Sequence, residues 1–486
     1  MKTTTIIKYN FHPTLITNSV LLMKKVKTSS IIVLLCLFQN LVFSQSEKMS
    51  LDEATKYALE NTNATKISLL NIKDADLAIT QGKAQLLPQI TASSSYNFFL
   101  LTPKSVLPDF VSPAVYGVLN QEGIKDGNGN VIKARAAGAG TEASFVLKNQ
   151  FALGATVSQL LYSASYKVGL KAIDVTRQLA LDQLSSKNAE IRNQVVDAYL
   201  PALIITEAAK TLDKNITNLE SSLKDAKATY KAGFIEQLDV DRLDLSLGNL
   251  KTDRENLDRQ KVQVVNALKL TIGYPIEKNL EPTDDINSLM PHATDSELNG
   301  AIDFKNRAEY NVFSTQEKLA MLQIDLNRSA YKPTVAGYVS FTENLNSNNY
   351  FTQTVYNQPQ SVLGLTANVT LWDGYATRSK IERASLALKQ LQYGKSDLER
   401  AITLQVINAR VGYTNAQRRL DNQQKSLTLA ERIYDTTQKK YKNGIGSSLE
   451  VATAERDLYA AQQNVRQAQS DIITAYKSIQ KALGTN

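Results

Sequence analysis

Cysteine and histidine are nearly missing from this chain of 486 residues, which has one Cys and two His. The cysteine, Cys36, falls in an N-terminal segment that reads as a cleavable leader, and His12 falls there too. The processed chain is therefore expected to have no thiol, no disulfide and a single histidine, His292, which removes thiol catalysis and cysteine-based metal centres. No nucleophile elbow, phosphate loop or metal-ligand cluster takes their place, so the expectation is a protein with no catalytic step, no cofactor and no metal. Glycine and proline are sparse as well, 21 and 11, and long stretches lack both, which points to long helices. The apolar run at 31–38 has eight residues, where a spanning helix needs about 20. Charged residues make up 21%, so the chain is neither disordered nor a polytopic helical membrane protein.

The formal charge of +8 suggests nucleic acid or a membrane surface until it is located. Lys2, Lys8, Lys24, Lys25 and Lys27 lie in the first 44 residues, which hold no acid, and without them +3 remains. No basic block with interleaved aromatics is left, so nucleic acid is not an expected partner. Residues 1–44 read as a secretory signal. Met23-Lys24-Lys25-Val26-Lys27 is its basic start, 31–38 its apolar centre, and Val42-Phe43-Ser44 the small-residue site before Gln45. The pattern starts at an internal Met, so Met23 is the expected true start. A lipid anchor at Cys36 would want a small residue before it, and Leu35 is not small.

The rest of the chain says the same thing twice. Tyr230-Lys231-Ala232-Gly233-Phe234-Ile235-Glu236-Gln237-Leu238-Asp239-Val240 returns 211 residues later as Tyr441-Lys442-Asn443-Gly444-Ile445-Gly446-Ser447-Ser448-Leu449-Glu450-Val451. Leu161-Tyr162-Ser163-Ala164 returns 210 residues later as Leu371-Trp372-Asp373-Gly374. Self-similarity at fixed spacing means a duplicated architecture. The expected plan is a first repeat over 45–275, a linker over 276–300 marked by Pro275, Pro282 and Pro291, and a second repeat over 301–486.

Within each repeat a run of helix-forming residues extends from 163 to 230 or from 373 to 441, with no proline except Pro201, and about 100 Å long at 1.5 Å per residue. Val406, Tyr413, Leu420, Leu427, Tyr434 and Tyr441 recur every seven residues, and Val195, Ala202, Ala209, Ile216, Leu223 and Tyr230 match them in the first repeat. Such a heptad is a coiled-coil seam. Gly233 or Gly444 ends each run, and a second helix over 236–272 or 447–483 follows, so each pair folds back as a hairpin, 163–272 and 373–484.

Four segments alternate apolar with small polar residues: strands at about 89–100, 149–162, 334–345 and 362–372, with Tyr162 and Trp372 closing the second of each pair. Apolar to lipid, polar to a wet lumen and aromatics at the interface is how a transmembrane barrel strand reads. A soluble sheet gives the same alternation; the placement of each strand pair between long helices that cannot cover it favours the barrel. Four strands are too few to close one, since about eight is the smallest that works, so the chain must assemble with copies of itself to hide its edges. Three copies give twelve strands. The connection near 101–145 is some 35 residues longer than its counterpart. Its Asp126-Gly127-Asn128-Gly129-Asn130 hints at a calcium loop, but Val131 stands where that loop needs Gly and Ala137 where it needs Glu, so it reads as a loop turn.

This order of elements resembles the TolC family of outer-membrane efflux proteins over nearly the whole processed chain. The likeness rests on the doubled strand-pair and hairpin plan, on Leu371-Trp372-Asp373-Gly374, on Tyr441-Lys442-Asn443-Gly444 with Leu449-Glu450-Val451, and on Ala482-Leu483-Gly484. It implies an α+β membrane protein. A homotrimer would form a 12-stranded transmembrane β-barrel, four strands per chain, continuous with a long periplasmic α-helical coiled-coil barrel. Expected partners are outer-membrane lipid, a periplasmic adaptor and an inner-membrane transporter. Carried over by position, Asp239 and Glu450 are acids of the periplasmic gate and Tyr441 is its latch tyrosine, with Tyr230 the matching position of the first hairpin. Gly233 and Gly444 are candidate adaptor contacts, and Tyr162 and Trp372 membrane-interface aromatics. Two departures stand out: Gly446 holds the latch's basic position and Thr453 that of a further acid, for which Asp241 and Arg242 are possible substitutes. Acids converging in a narrow pore favour cations; Asp239 and Glu450 also suit the positive end of a helix dipole, and both roles can hold. The implied function is a passive exit duct of an efflux or export system. The outer component of a type I protein secretion system is an alternative with the same fold, and a soluble periplasmic coiled-coil adaptor or spacer is another.

Overall fold

The computed structural model describes residues 47–485, and the expected leader at 1–44 lies outside them. In chain order the elements are β1 (Glu47–Met49), α1 (Leu51–Asn61), α2 (Asn63–Ala84), β2 (Gln89–Phe98), β3 (Ser105–Leu107), α3 (Val111–Gln121), β4 (Thr141–Ala143), β5 (Asn149–Ser163) and α4 (Ala164–Lys231). Then come α5 (Gln237–Ile272), β6 (Leu280–Pro282), α6 (Asp295–Asn299), α7 (Ala308–Ser329), β7 (Thr334–Ser347), β8 (Tyr356–Asn368), α8 (Ala376–Lys442) and α9 (Ser448–Leu483). The chain divides into two compact units. One comprises 67–186 and 307–401; the other comprises, among the described residues, 47–66, 187–306 and 402–485.

The first of these units is built on a four-stranded antiparallel sheet in the order β2-β5-β7-β8. Residues directly opposite one another across an antiparallel pair share a face, and here the register sorts the sheet into two faces. One carries the rows Ile90–Val157–Val339–Leu363 and Ala92–Ala155–Phe341–Ser361. The other carries Thr91–Thr156–Ser340–Val362, Ser93–Gly154–Thr342–Gln360 and Ser95–Ala152–Asn344–Gln358. A slip of one residue would exchange the faces. A bulge between Leu160 and Tyr162 re-aims the end of β5 just before it runs directly into α4.

The last strand does not end where alternation suggests. β8 spans Tyr356–Asn368, so Trp372 does not close it and stands 78% exposed four residues past its end. The pairing stops at Thr334↔Asn368 because Pro333 precedes β7 and has no N–H to continue the ladder. The chain then turns through Gly374 and Tyr375, both at positive φ, +65° and +67°. Asp373 closes this turn by accepting bonds from the Thr377 N–H at 2.7 Å and its hydroxyl at 2.5 Å.

The helical unit has its main core where the linker folds onto the helices. Met49, Tyr199, Leu203, Leu268, Ile272, Leu280, Ile286, Ile473 and Ile479 are buried together. The Tyr199 hydroxyl donates to the Met49 carbonyl at 3.0 Å, and burial raises its pKa further than the neighbouring Asp284 does. Three short elements of this unit were not legible in the sequence: β1 and β6, which pair in parallel, β6 within the linker, and α6, which starts on a capping box of Thr294 and Glu297. Helix α4 runs unbroken through Pro201.

Candidate functional site: the hairpin tips

The helical unit contains two hairpins, α4 to α5 and α8 to α9, and their tips are built on the same cap. At the first, the Gly233 N–H donates to the Tyr230 carbonyl at 2.9 Å and the Phe234 N–H to that of Thr229 at 3.1 Å. At the second, Gly444 donates to Tyr441 and Ile445 to Lys440, each at 3.0 Å. This 6→1 pattern needs a left-handed residue after the helix, and Gly233 and Gly444 supply it at φ +80° and +76°. No atom lies within 4 Å of where a Cβ would stand on either, so the backbone conformation, not crowding, calls for glycine. Gly446 is different: a Cβ there would lie 3.1 Å from the Tyr441 nitrogen and from the Lys440 side chain. The position at which the resemblance expects a basic side chain leaves little room for one.

Behind the caps the two hairpins diverge. The first is held by Leu219, Leu223, Ala226, Val240, Leu243, Leu247 and Leu250, all buried. The positions 211 residues later are Ala430, Tyr434, Thr437, Val451, Ala454, Leu458 and Ala461. Much of the aliphatic volume is gone from the second hairpin, and Tyr459 stands where the first has Gly248. A fully buried Leu stabilises by about 1.5–3 kcal/mol relative to exposure, so the first tip has the stronger apolar core.

The second hairpin fills its interior with polar groups instead. Glu455 is 1% exposed. It accepts a hydrogen bond from the Tyr459 hydroxyl at 2.5 Å and one from Ser246 on α5 at 3.5 Å. Burial pushes its carboxyl pKa up, and the two hydrogen bonds only partly offset this. Burial also raises Tyr434, to about 12, with help from the Glu455 and Asp435 charges, and it raises Tyr459, which donates to Glu455. The equivalent of Glu455 in the first hairpin, Asp244, lies on the surface 3.8 Å from Lys227.

Of the four expected gate residues, the structure brings two together. The Ser448 hydroxyl donates to Asp239, linking the two hairpins, and Arg242 donates to the same Ser448 oxygen at 3.4 Å. Tyr441 packs against the core of the first hairpin, where burial and then the Asp239 charge raise its pKa. Its hydroxyl is buried without a hydrogen-bond partner. Glu450 is exposed in the first turn of α9, its N–H bonded to the Ser447 cap at 3.2 Å, and Tyr230 is 41% exposed. Asp241 accepts from Gln237 on its own helix at 2.7 Å, so of the two candidate substitutes only Arg242 reaches across. Glu455 and Tyr459 went unread in the sequence. Extending the heptad into α9 through Val451, Ala454, Leu458, Ala461 and Val465 would have flagged Glu455 as an acid beside the seam.

The tips also expose Phe234, Leu238, Ile445 and Leu449. In the other unit, Tyr162 lies on β5 with the Lys167 ammonium 5.2 Å from its ring centroid. The calcium-loop hint resolves into a turn in which Asp126 accepts from the N–H groups of Asn128 and Asn130, at 2.9 and 3.0 Å.

Residues 311–485 match the family described as outer membrane efflux protein. That match falls within the second repeat and carries the same likeness to the TolC-type efflux proteins. The chain is 23% identical over 293 residues to the pyoverdine export outer membrane protein OpmQ of Pseudomonas aeruginosa, and the match covers 60% of each chain. Its fold is that of the CmeC outer membrane channel of Campylobacter jejuni, with a TM-score of 0.64 at 14% identity over 89% of this chain and 85% of that one. The MtrE outer membrane channel of Neisseria gonorrhoeae gives a TM-score of 0.62 at 15% identity, over 89% and 88%. The four-strand sheet and paired hairpins of this chain are thus the fold of these channels.

Proposed function

We propose that this chain is the exit duct of an efflux or export system: a homotrimer whose three sheets close a 12-stranded barrel in the outer membrane and whose hairpins extend into the periplasm. The observation that carries this reading is the two-faced sheet, of which β2 and β8 each pair on one side only. Unpaired edges are not tolerated in lipid, and closure with copies of the same sheet satisfies them. The duct is passive. A periplasmic adaptor links it to an inner-membrane transporter that supplies the energy, and the exposed Phe234, Leu238, Ile445 and Leu449 at the tips offer the adaptor an apolar surface. Asp239 and Glu450 line the mouth and favour cations.

Detergent extraction from the outer-membrane fraction should yield an SDS-resistant trimer; a soluble monomer would refute the duct. In planar bilayers, Asp239→Ala combined with Glu450→Ala should abolish cation preference and block by multivalent cations. Unchanged conductance would remove these two acids from the gate.

A further inference from the structure

The long connection between β2 and β5 contains a helix that the duct reading does not use. Helix α3 has no charged residue. One of its faces is covered: the Arg135 guanidinium sits 4.3 Å above the Tyr116 ring, Asn120 donates to the Ile132 carbonyl at 2.8 Å, and Asp109 joins the Ser112 and Gly138 N–H groups at 2.9 and 3.0 Å. The opposite face presents Val111, Ala114, Val115 and Val118, all exposed. This i, i+3, i+4, i+7 stripe is the spacing of a helix meant to lie on something apolar. The connection leaves the sheet at the rim formed by Phe98, Asn149 and Ser347, at the opposite end from the strand termini that lead to the helices. From Phe98 an exposed apolar path runs through Leu100, Leu101, Val106 and Phe110 to the stripe, with Leu101 90% exposed. The covering segment carries Lys125, Lys133 and Arg135.

We propose that α3 is an interfacial anchor lying in the outer leaflet of the membrane. Its valine stripe enters the acyl region as a continuation of the sheet's apolar face, and the basic residues of the covering segment stand at headgroup level. The occupant is lipid because the stripe continues the surface that the barrel turns to lipid, and because the helix has no charge to hold it in water. This inference rests on the outer-membrane reading of the sheet.

The test uses single cysteines in a Cys36→Ser background: Val115→Cys, Val118→Cys, Leu363→Cys on the sheet's apolar face and Asn128→Cys on the exposed turn. Each full-length protein is labelled with an environment-sensitive nitrobenzoxadiazole dye and reconstituted in vesicles of phosphatidylethanolamine and phosphatidylglycerol with or without nitroxide-labelled acyl chains. Probes at 115 and 118 should emit to the blue of the probe at 128 and lose at least half as much fluorescence to the nitroxide lipid as the probe at 363. Quenching by aqueous iodide instead, or a disulfide joining neighbouring copies of the unlabelled Val115→Cys protein, overturns the anchor while leaving the barrel intact. Lack of lipid quenching at 363 as well overturns both.

Discussion

The two hairpins have the same backbone and different interiors. Both end in glycine caps with matching hydrogen bonds, yet Leu243 and Leu250 of the first become Ala454 and Ala461 of the second, and Gly248 becomes Tyr459. Duplication preserved what a helix needs in order to turn back, and let go of what holds the turn shut. The first hairpin is held mainly by its own aliphatic packing, with Tyr441 and Tyr459 of the second packed against it. The second leans on its neighbour through hydrogen bonds, Ser448 to Asp239 and Ser246 to Glu455, which break at less cost than a buried core. If one tip moves to open the mouth, the second is the better suited.

The largest effect is expected from the first core. Leu243→Ala should destabilise the first hairpin by about 2–5 kcal/mol, and Ala454→Gly the second by about 1 kcal/mol. Denaturant titrations of the solubilised protein with proteolysis sites mapped to each tip measure both, and equal losses would break the comparison.

Second comes Glu455→Gln, whose effect depends on pH. The folded-state pKa of Glu455 is raised, so its native state holds a proton more tightly than the unfolded chain does. The stability this confers is complete below the unfolded value near 4.5 and is lost as pH rises through the folded one. The amide should therefore melt above the parent at neutral pH and level with it in acid. A melting series of the parent and the amide from acid to neutral pH decides, and a gap that does not change with pH would refute the buried carboxyl's role.

Smaller again, Gly233→Val and Gly444→Val should each cost about 1–2 kcal/mol by forcing a branched residue into left-handed backbone. Equal penalties are expected because the caps are equal, and a marked difference in tip proteolysis would show that one of them is strained. The smallest contrast is at the helix starts. Ser447→Ala removes a real cap and should cost about 1 kcal/mol, whereas Glu236→Ala should cost less, since Glu236 makes no side-chain cap bond. Helix content by circular dichroism across a thermal scan tests the pair.

Most of the backbone was legible because it follows periodicity. The seam residues Val406, Tyr413 and Ala416 are buried and Leu420, Leu427 and Tyr434 partly so, which is what a heptad predicts. The sheet faces follow from period two. What escaped lacks a period. β1 and β6 are three residues each and are paired across more than 200 residues of chain; α3 sits in a segment that reads as loop; and the end of β8 depends on where its partner strand stops. Among the candidate site residues, Asp239 and Tyr441 are positions that the resemblance names, whereas the burial of Glu455 could not be read, because its repeat counterpart Asp244 lies on the surface.

By itself the sequence determined the duplication, the lengths of the helices, the glycine turns and which face of each strand is apolar, because each of these depends on residues close along the chain. Only the tertiary structure decided which side chains of the two hairpins meet, that a carboxyl is buried between them, and that the valine face of α3 is left uncovered. Those outcomes depend on volumes and hydrogen-bond partners brought together from distant segments, and no local pattern encodes them.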